Sequence, residues 1–144
     1  MFLARGIAAG MTLAVLAAAG PAVGGGTEPT VYAGPFEAGG KISFRLAHSN
    51  DPRVDQIKIE GITAQCRGGS GSLDFEIYGS TPVLADRSFA VRSEDGTGGR
   101  AVVKGRFSRQ FKRAVGTARV FGRFRFPGAG STRCNSEKQS FVAR

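Results

Sequence analysis

The chain has 144 residues, of which 41% are hydrophobic and 22% charged, and a formal charge of +9; that is enough for one ordinary domain and hardly for two. With 22 glycines, 11 phenylalanines and no tryptophan, it lacks the composition of a coiled coil, a collagen-like rod or a long helical bundle.

Met1 to Arg5 carry one positive charge ahead of an almost unbroken apolar stretch from Gly6 to Ala19. This is the order of a secretory signal peptide, residues 1–19, with Ala17 and Ala19 placed for cleavage before Gly20. A permanent membrane anchor is the alternative, but the stretch is shorter than the roughly 20 apolar residues a span uses. The expected location is therefore secreted or cell-envelope associated. Residues 20–30, rich in Gly and Pro, read as a flexible leader, and residues 31–144 as a single β-sandwich domain.

From Lys41 to Ala47, Ile42, Phe44 and Leu46 alternate with polar residues, which is the period of a strand with one buried face. Ile57 and Ile59 repeat the pattern until Gly61, after which the apolar parity passes to Ile62, Ala64 and Cys66. One extra residue at Gly61 would transfer the alternation in this way, so a bulge is expected there. A glycine-rich loop from Arg67 to Gly71 then leads to the clean alternation of Leu73, Phe75 and Ile77. Phe89 and Val91 mark a short strand, the stretch Glu94 to Gly99 a turn, and Ala101 to Phe107 another strand. A long extended stretch covers Val115 to Phe126, and Phe141 and Val142 close the chain. No window outside the N-terminal segment has a helical period. The fold class is all-β: an antiparallel sandwich of about seven to eight short strands with little or no helix after the signal peptide.

Cys66 and Cys134 are the only cysteines. In an exported chain a lone pair points to a disulfide, because two thiolates without clustered histidines cannot complete a tetrahedral metal shell; two free thiols are the alternative. Such a bridge, closing a long loop, would stabilise the fold by about 4 kcal/mol and could pin the C-terminal strand to the middle of the domain.

Tyr32-Ala-Gly, the Cys66 that ends a strand, Gly105-Arg-Phe107, Ala114-Val-Gly116-Thr-Ala-Arg119, and Cys134 ahead of Phe141-Val-Ala-Arg144 together resemble a loose class of exported bacterial β-sandwich domains. The resemblance covers roughly Val31 to Arg144, and Phe141 stands where that pattern is expected to carry tryptophan. It implies a fold and no activity.

Charge is distributed unevenly. Residues 28–99 hold seven Lys/Arg against ten Asp/Glu, and residues 100–144 hold twelve against one. Arg100, Lys104 and Arg106 share one strand parity, and Arg119, Arg123 and Arg125 share the outward parity of the next. If those strands are neighbours, six cations and an exposed Phe121 line one surface. Its expected partner is an anionic glycan, an envelope polymer or extracellular DNA; the alternative is a solvated face that discourages edge pairing.

Catalytic chemistry has little to draw on. His48 is the only histidine, placed in a loop where Asp51 or Asp55 could pair with it, and no Gly-x-Ser-x-Gly nucleophile turn occurs. Asp74 and Glu76 share one strand face and are the candidates for a small glycan hydrolase, although the wet face of a strand has the same pattern. Glu94 and Asp95 lack the acidic ladder of a calcium loop, and no glycine cluster opens a helix as a phosphate-binding loop would. No catalytic residue, metal or cofactor is expected. The leading expectation is a non-catalytic exported interaction module, with polyanion binding through the basic face as the alternative.

Overall fold

The computed structural model describes residues 28–144; the expected signal peptide and most of the expected leader lie outside the described residues. Nine strands follow in order: β1 (Thr30–Pro35), β2 (Lys41–Ala47), β3 (Arg53–Cys66), β4 (Gly69–Pro82), β5 (Ser88–Glu94), β6 (Gly99–Phe107), β7 (Ala114–Phe126), β8 (Gly130–Asn135) and β9 (Gln139–Ala143). All pairings are antiparallel, and the described residues contain no helix. The all-β antiparallel expectation holds. One feature differs from two separate layers: hydrogen bonds run β1-β2-β3-β8-β7-β6-β5, with β4 added beside β3 and β9 beside β7, so one ladder joins all nine strands.

Two strands escaped the sequence pattern. β1 alternates only weakly, with Tyr32 its one buried side chain, and β8 buries only Cys134. Neither shows the run of alternating apolar residues by which a strand is recognised. The expected loop from Arg67 to Gly71 is also shorter than anticipated, because β4 starts at Gly69, opposite Cys66.

The bulge at Gly61 is present. Ile59 lies opposite Phe75 and Ile62 opposite Leu73, so Glu60 and Gly61 together face Asp74. Gly61 takes φ of 66°, a left-handed conformation that costs glycine nothing, and its N–H donates to Asp74 Oδ1 at 2.7 Å. The insertion keeps Ile57, Ile59, Ile62 and Ala64 all on the core side.

That core is aromatic. Phe44 on β2 lies 5.5 Å from Tyr32, 5.4 Å from Phe89, 6.0 Å from Phe107 and 6.1 Å from Phe141, centroid to centroid. β2 and β5 stand near opposite ends of the ladder, so the contact between Phe44 and Phe89 means that the sheet folds over onto one shared core. The buried Tyr32 hydroxyl donates to the Phe111 carbonyl, and burial raises its pKa above the ordinary phenol value. Edges also close. Ala33 and Arg144 exchange backbone hydrogen bonds of 3.1 and 3.0 Å between β1 and the chain end beyond β9.

The disulfide forms between Cys66 and Cys134, which are direct cross-strand partners on β3 and β8. The ladder between these strands contains only that pair and Gln65 with Asn135. The covalent bond reinforces this short ladder, while the Ala33–Arg144 hydrogen bonds and the shared aromatic core also join the first half of the sheet to the second. It ties down β8 rather than the C-terminal strand β9, which pairs with β7.

Candidate functional site

Strands β6 and β7 are neighbours, the condition on which the basic surface depended. Arg100 lies opposite Phe121, Val102 opposite Arg119, Lys104 opposite Thr117 and Arg106 opposite Val115. Cations thus alternate with neutral side chains across the pair, which separates like charges. The alternation ends where β7 leaves β6 for β8. There Arg123 lies directly opposite Arg133, a like-charge pairing that costs stability in a sheet.

Two local devices position this junction. β7 is flanked by β9 up to Ala118 and by β8 from Phe121 onward, leaving a gap in the ladder between them. The buried Ser136 fills it: its Oγ accepts the Val120 N–H at 2.8 Å, and its own N–H donates to the Val120 carbonyl at 2.8 Å. Gly122 then turns the strand with φ of 115°, and a side chain there would collide with the Gly98 carbonyl oxygen. Only glycine combines that backbone angle with that approach.

The result is an open groove of about 540 Å³ with Arg100, Arg119, Arg123 and Arg133 along its walls, together with Phe121, Gln65 and Asn135. Cys134 contributes to its lining, so the disulfide sits beside the site. The Arg119 guanidinium lies 4.6 Å from the centre of the Phe121 ring, a cation–π contact. Its Nε donates to Asn135 Oδ1 at 3.1 Å, and Asn135 is itself held by the Glu137 backbone N–H and carboxylate. Arg119 is therefore oriented on two sides. A second, smaller groove of about 210 Å³ shares Arg119 and Phe121 and adds Arg92, Lys104 and Lys138. The two adjoin as one basic surface.

The expected residues separate on this surface. Arg100, Arg119, Phe121 and Arg123 meet in the larger groove, and Lys104 joins through the smaller one. Arg106 and Arg125 line neither; Arg106 pairs with Asp86 at 3.1 Å at the far end of β6. Phe121 is half-buried under Arg119 rather than exposed. Arg92, Arg133, Lys138, Gln65 and Asn135 were missed. A signal for two of them was available: a buried Cys134 on an alternating strand sends Arg133 and Asn135 outward on either side of it.

The catalytic candidates have other occupations. The His48 Nε2 lies 2.7 Å from Thr30 Oγ1, while Asp55 is held by Arg45 through two hydrogen bonds of 2.7 and 2.8 Å. The hydrogen bonds from Arg45 hold the Asp55 carboxyl below the usual carboxylate range despite partial burial. Asp74 fastens the Gly61 bulge, and Glu76 accepts a 2.6 Å hydrogen bond from Tyr78 and faces Lys58 at 3.8 Å. At the turn from Glu94 to Gly99, Asp95 Oδ1 accepts hydrogen bonds from the Thr97 N–H and hydroxyl and the Gly99 N–H. Partial burial raises the Asp95 pKa, but these bonds outweigh it and keep the group below its ordinary value. Among the described residues no three His, Cys, Asp or Glu side chains gather as metal ligands.

Comparison with protein-family models, characterised proteins and solved structures finds no match for this chain.

Proposed function

We propose that this chain acts outside the cytoplasm as a non-catalytic binding module that holds an anionic polymer in the groove around Phe121. The observation that carries the reading is the convergence of Arg100, Arg119, Arg123 and Arg133 on one concavity, with Arg123 directly opposite Arg133. Among the described residues, Arg100 alone of these four has a carboxylate partner within ion-pair distance, Glu94 at 3.2 Å. An anion lying between the strands would relieve the repulsion and engage guanidinium forks suited to carboxylate, sulfate or phosphate oxygens. The disulfide and the apolar N-terminal segment support an extracytoplasmic setting, since such bridges persist in oxidising compartments.

Retention on a heparin column over a salt series tests the proposal. Replacing Arg119, Arg123 and Arg133 with Gln should shift elution to clearly lower salt. Replacing Arg109, Lys112 and Arg113 with Gln removes the same charge from the loop between β6 and β7 and should shift it far less. Equal shifts from the two triple variants would mean that net charge alone governs retention, and the groove would lose its role.

A further inference from the structure

We infer that the polymer is an acidic polysaccharide, a glycan chain carrying carboxylate or sulfate groups, rather than a nucleic acid; this rests on the polyanion reading above. The groove is not lined by cations alone. The exposed Gln65 belongs to it and sits one residue from the disulfide, and its Nε2 donates to Ser70 Oγ at 3.0 Å. Among the described residues its Oε1 and second N–H have no protein partner, which leaves one acceptor and one donor. A phosphodiester backbone presents oxygens that need donors. A glycan presents hydroxyl groups, which both donate and accept, between its oxyanions. The Gln65 amide beside four arginines matches that alternation.

The aromatic content argues the same way. Single-stranded nucleic acid is held by open aromatic faces on which successive bases stack. This groove has one aromatic ring, Phe121, half-buried and covered by the Arg119 guanidinium. Duplex DNA is read by an element that protrudes into its major groove, whereas the arginines here line a concavity.

The test is titration calorimetry of the full oxidised chain with four probes at one ionic strength: oligogalacturonate, a heparin oligosaccharide, single-stranded oligothymidylate and a short DNA duplex, matched in charge number. At least one acidic oligosaccharide should bind about tenfold or more tightly than either nucleic acid. Gln65→Leu should weaken the oligosaccharide about fivefold and leave nucleic-acid binding and the salt slope unchanged, because it removes polar contacts without removing charge. Arg123→Gln should weaken every probe and lower the salt slope by about one. Nucleic acid binding as tightly as the sugars, or an equal effect of Gln65→Leu on both, would overturn the glycan assignment and leave the polyanion reading standing. Failure of all four probes to bind would remove both.

Discussion

The two halves of the sheet treat charge in opposite ways. In the first half, the register places opposite signs across from one another: Lys41 faces Glu60, Arg45 faces Asp55 and Lys58 faces Glu76, and each pair lies within ion-pair distance. In the second half, the acidic partners Glu94 and Asp86 reach only Arg100 and Arg106, and the register brings Arg123 against Arg133. The same antiparallel geometry therefore yields a self-neutralised surface on one side and an unsatisfied one on the other. Exposed pairs contribute little to stability in either case. The difference matters more for what each surface attracts, because the field of an uncompensated groove extends to solution while that of a matched pair does not.

The largest test of this comparison removes the covalent join between the halves. Cys66→Ser combined with Cys134→Ser should cost about 4 kcal/mol in urea unfolding, the loop-entropy value for a separation of 68 residues. It should also weaken heparin retention, since Cys134 lies beside the groove arginines. Unchanged stability and retention would show that the hydrogen bonds and core contacts between the halves suffice without the bond.

A smaller effect comes from acid. Asp55, Asp86 and Asp95 are all held below their ordinary pKa by hydrogen bonds: from Arg45 to Asp55, from Ser88 to Asp86, and from Thr97 and Gly99 to Asp95. Each binds a proton less readily folded than unfolded. Their stabilising contribution is complete above the unfolded carboxyl value of about 3.9 and is lost as pH falls through the lower folded values. Unfolding monitored from pH 6 downward should show stability declining below about pH 4, and Asp55→Asn should flatten part of that decline. An unaltered pH profile in the variant would remove Asp55 as a contributor.

The smallest effect sharpens the contrast most. Arg133→Gln relieves a like-charge pair and should raise stability by about 0.2–1 kcal/mol, whereas Lys58→Gln breaks an opposite-charge pair and should lower it by no more than that. Opposite signs from two charge-removing changes on one sheet, read by urea midpoints, would confirm that the basic half gives up stability. Arg133→Gln should simultaneously reduce heparin retention. If both changes shift stability in the same direction, register does not decide the sign.

Much of the fold was legible because it is local. The alternation from Lys41 to Ala47 coincides with β2, and the parity switch at Gly61 coincides with a bulge, since both depend only on which face each side chain must take. β8 was not legible: Gly130 to Asn135 carries one buried residue, and a strand held by its partners rather than by its own apolar face leaves no periodic trace. The site was half legible for the same reason. Parity grouped Arg119, Phe121 and Arg123, which do line one groove, but it also enrolled Arg106 and Arg125, which do not line it.

By itself the sequence determined the strand-forming segments, the two cysteines available for pairing and a strongly basic final third, because these follow from side-chain periodicity and composition. Tertiary structure alone decided which cations meet. Arg133, Asn135 and Gln65 reach the groove only because β8 is fastened between β3 and β7, by the Cys66–Cys134 bond on one side and the ladder beyond Gly122 on the other. Those contacts join residues far apart in the chain, and no local pattern encodes the distance between them.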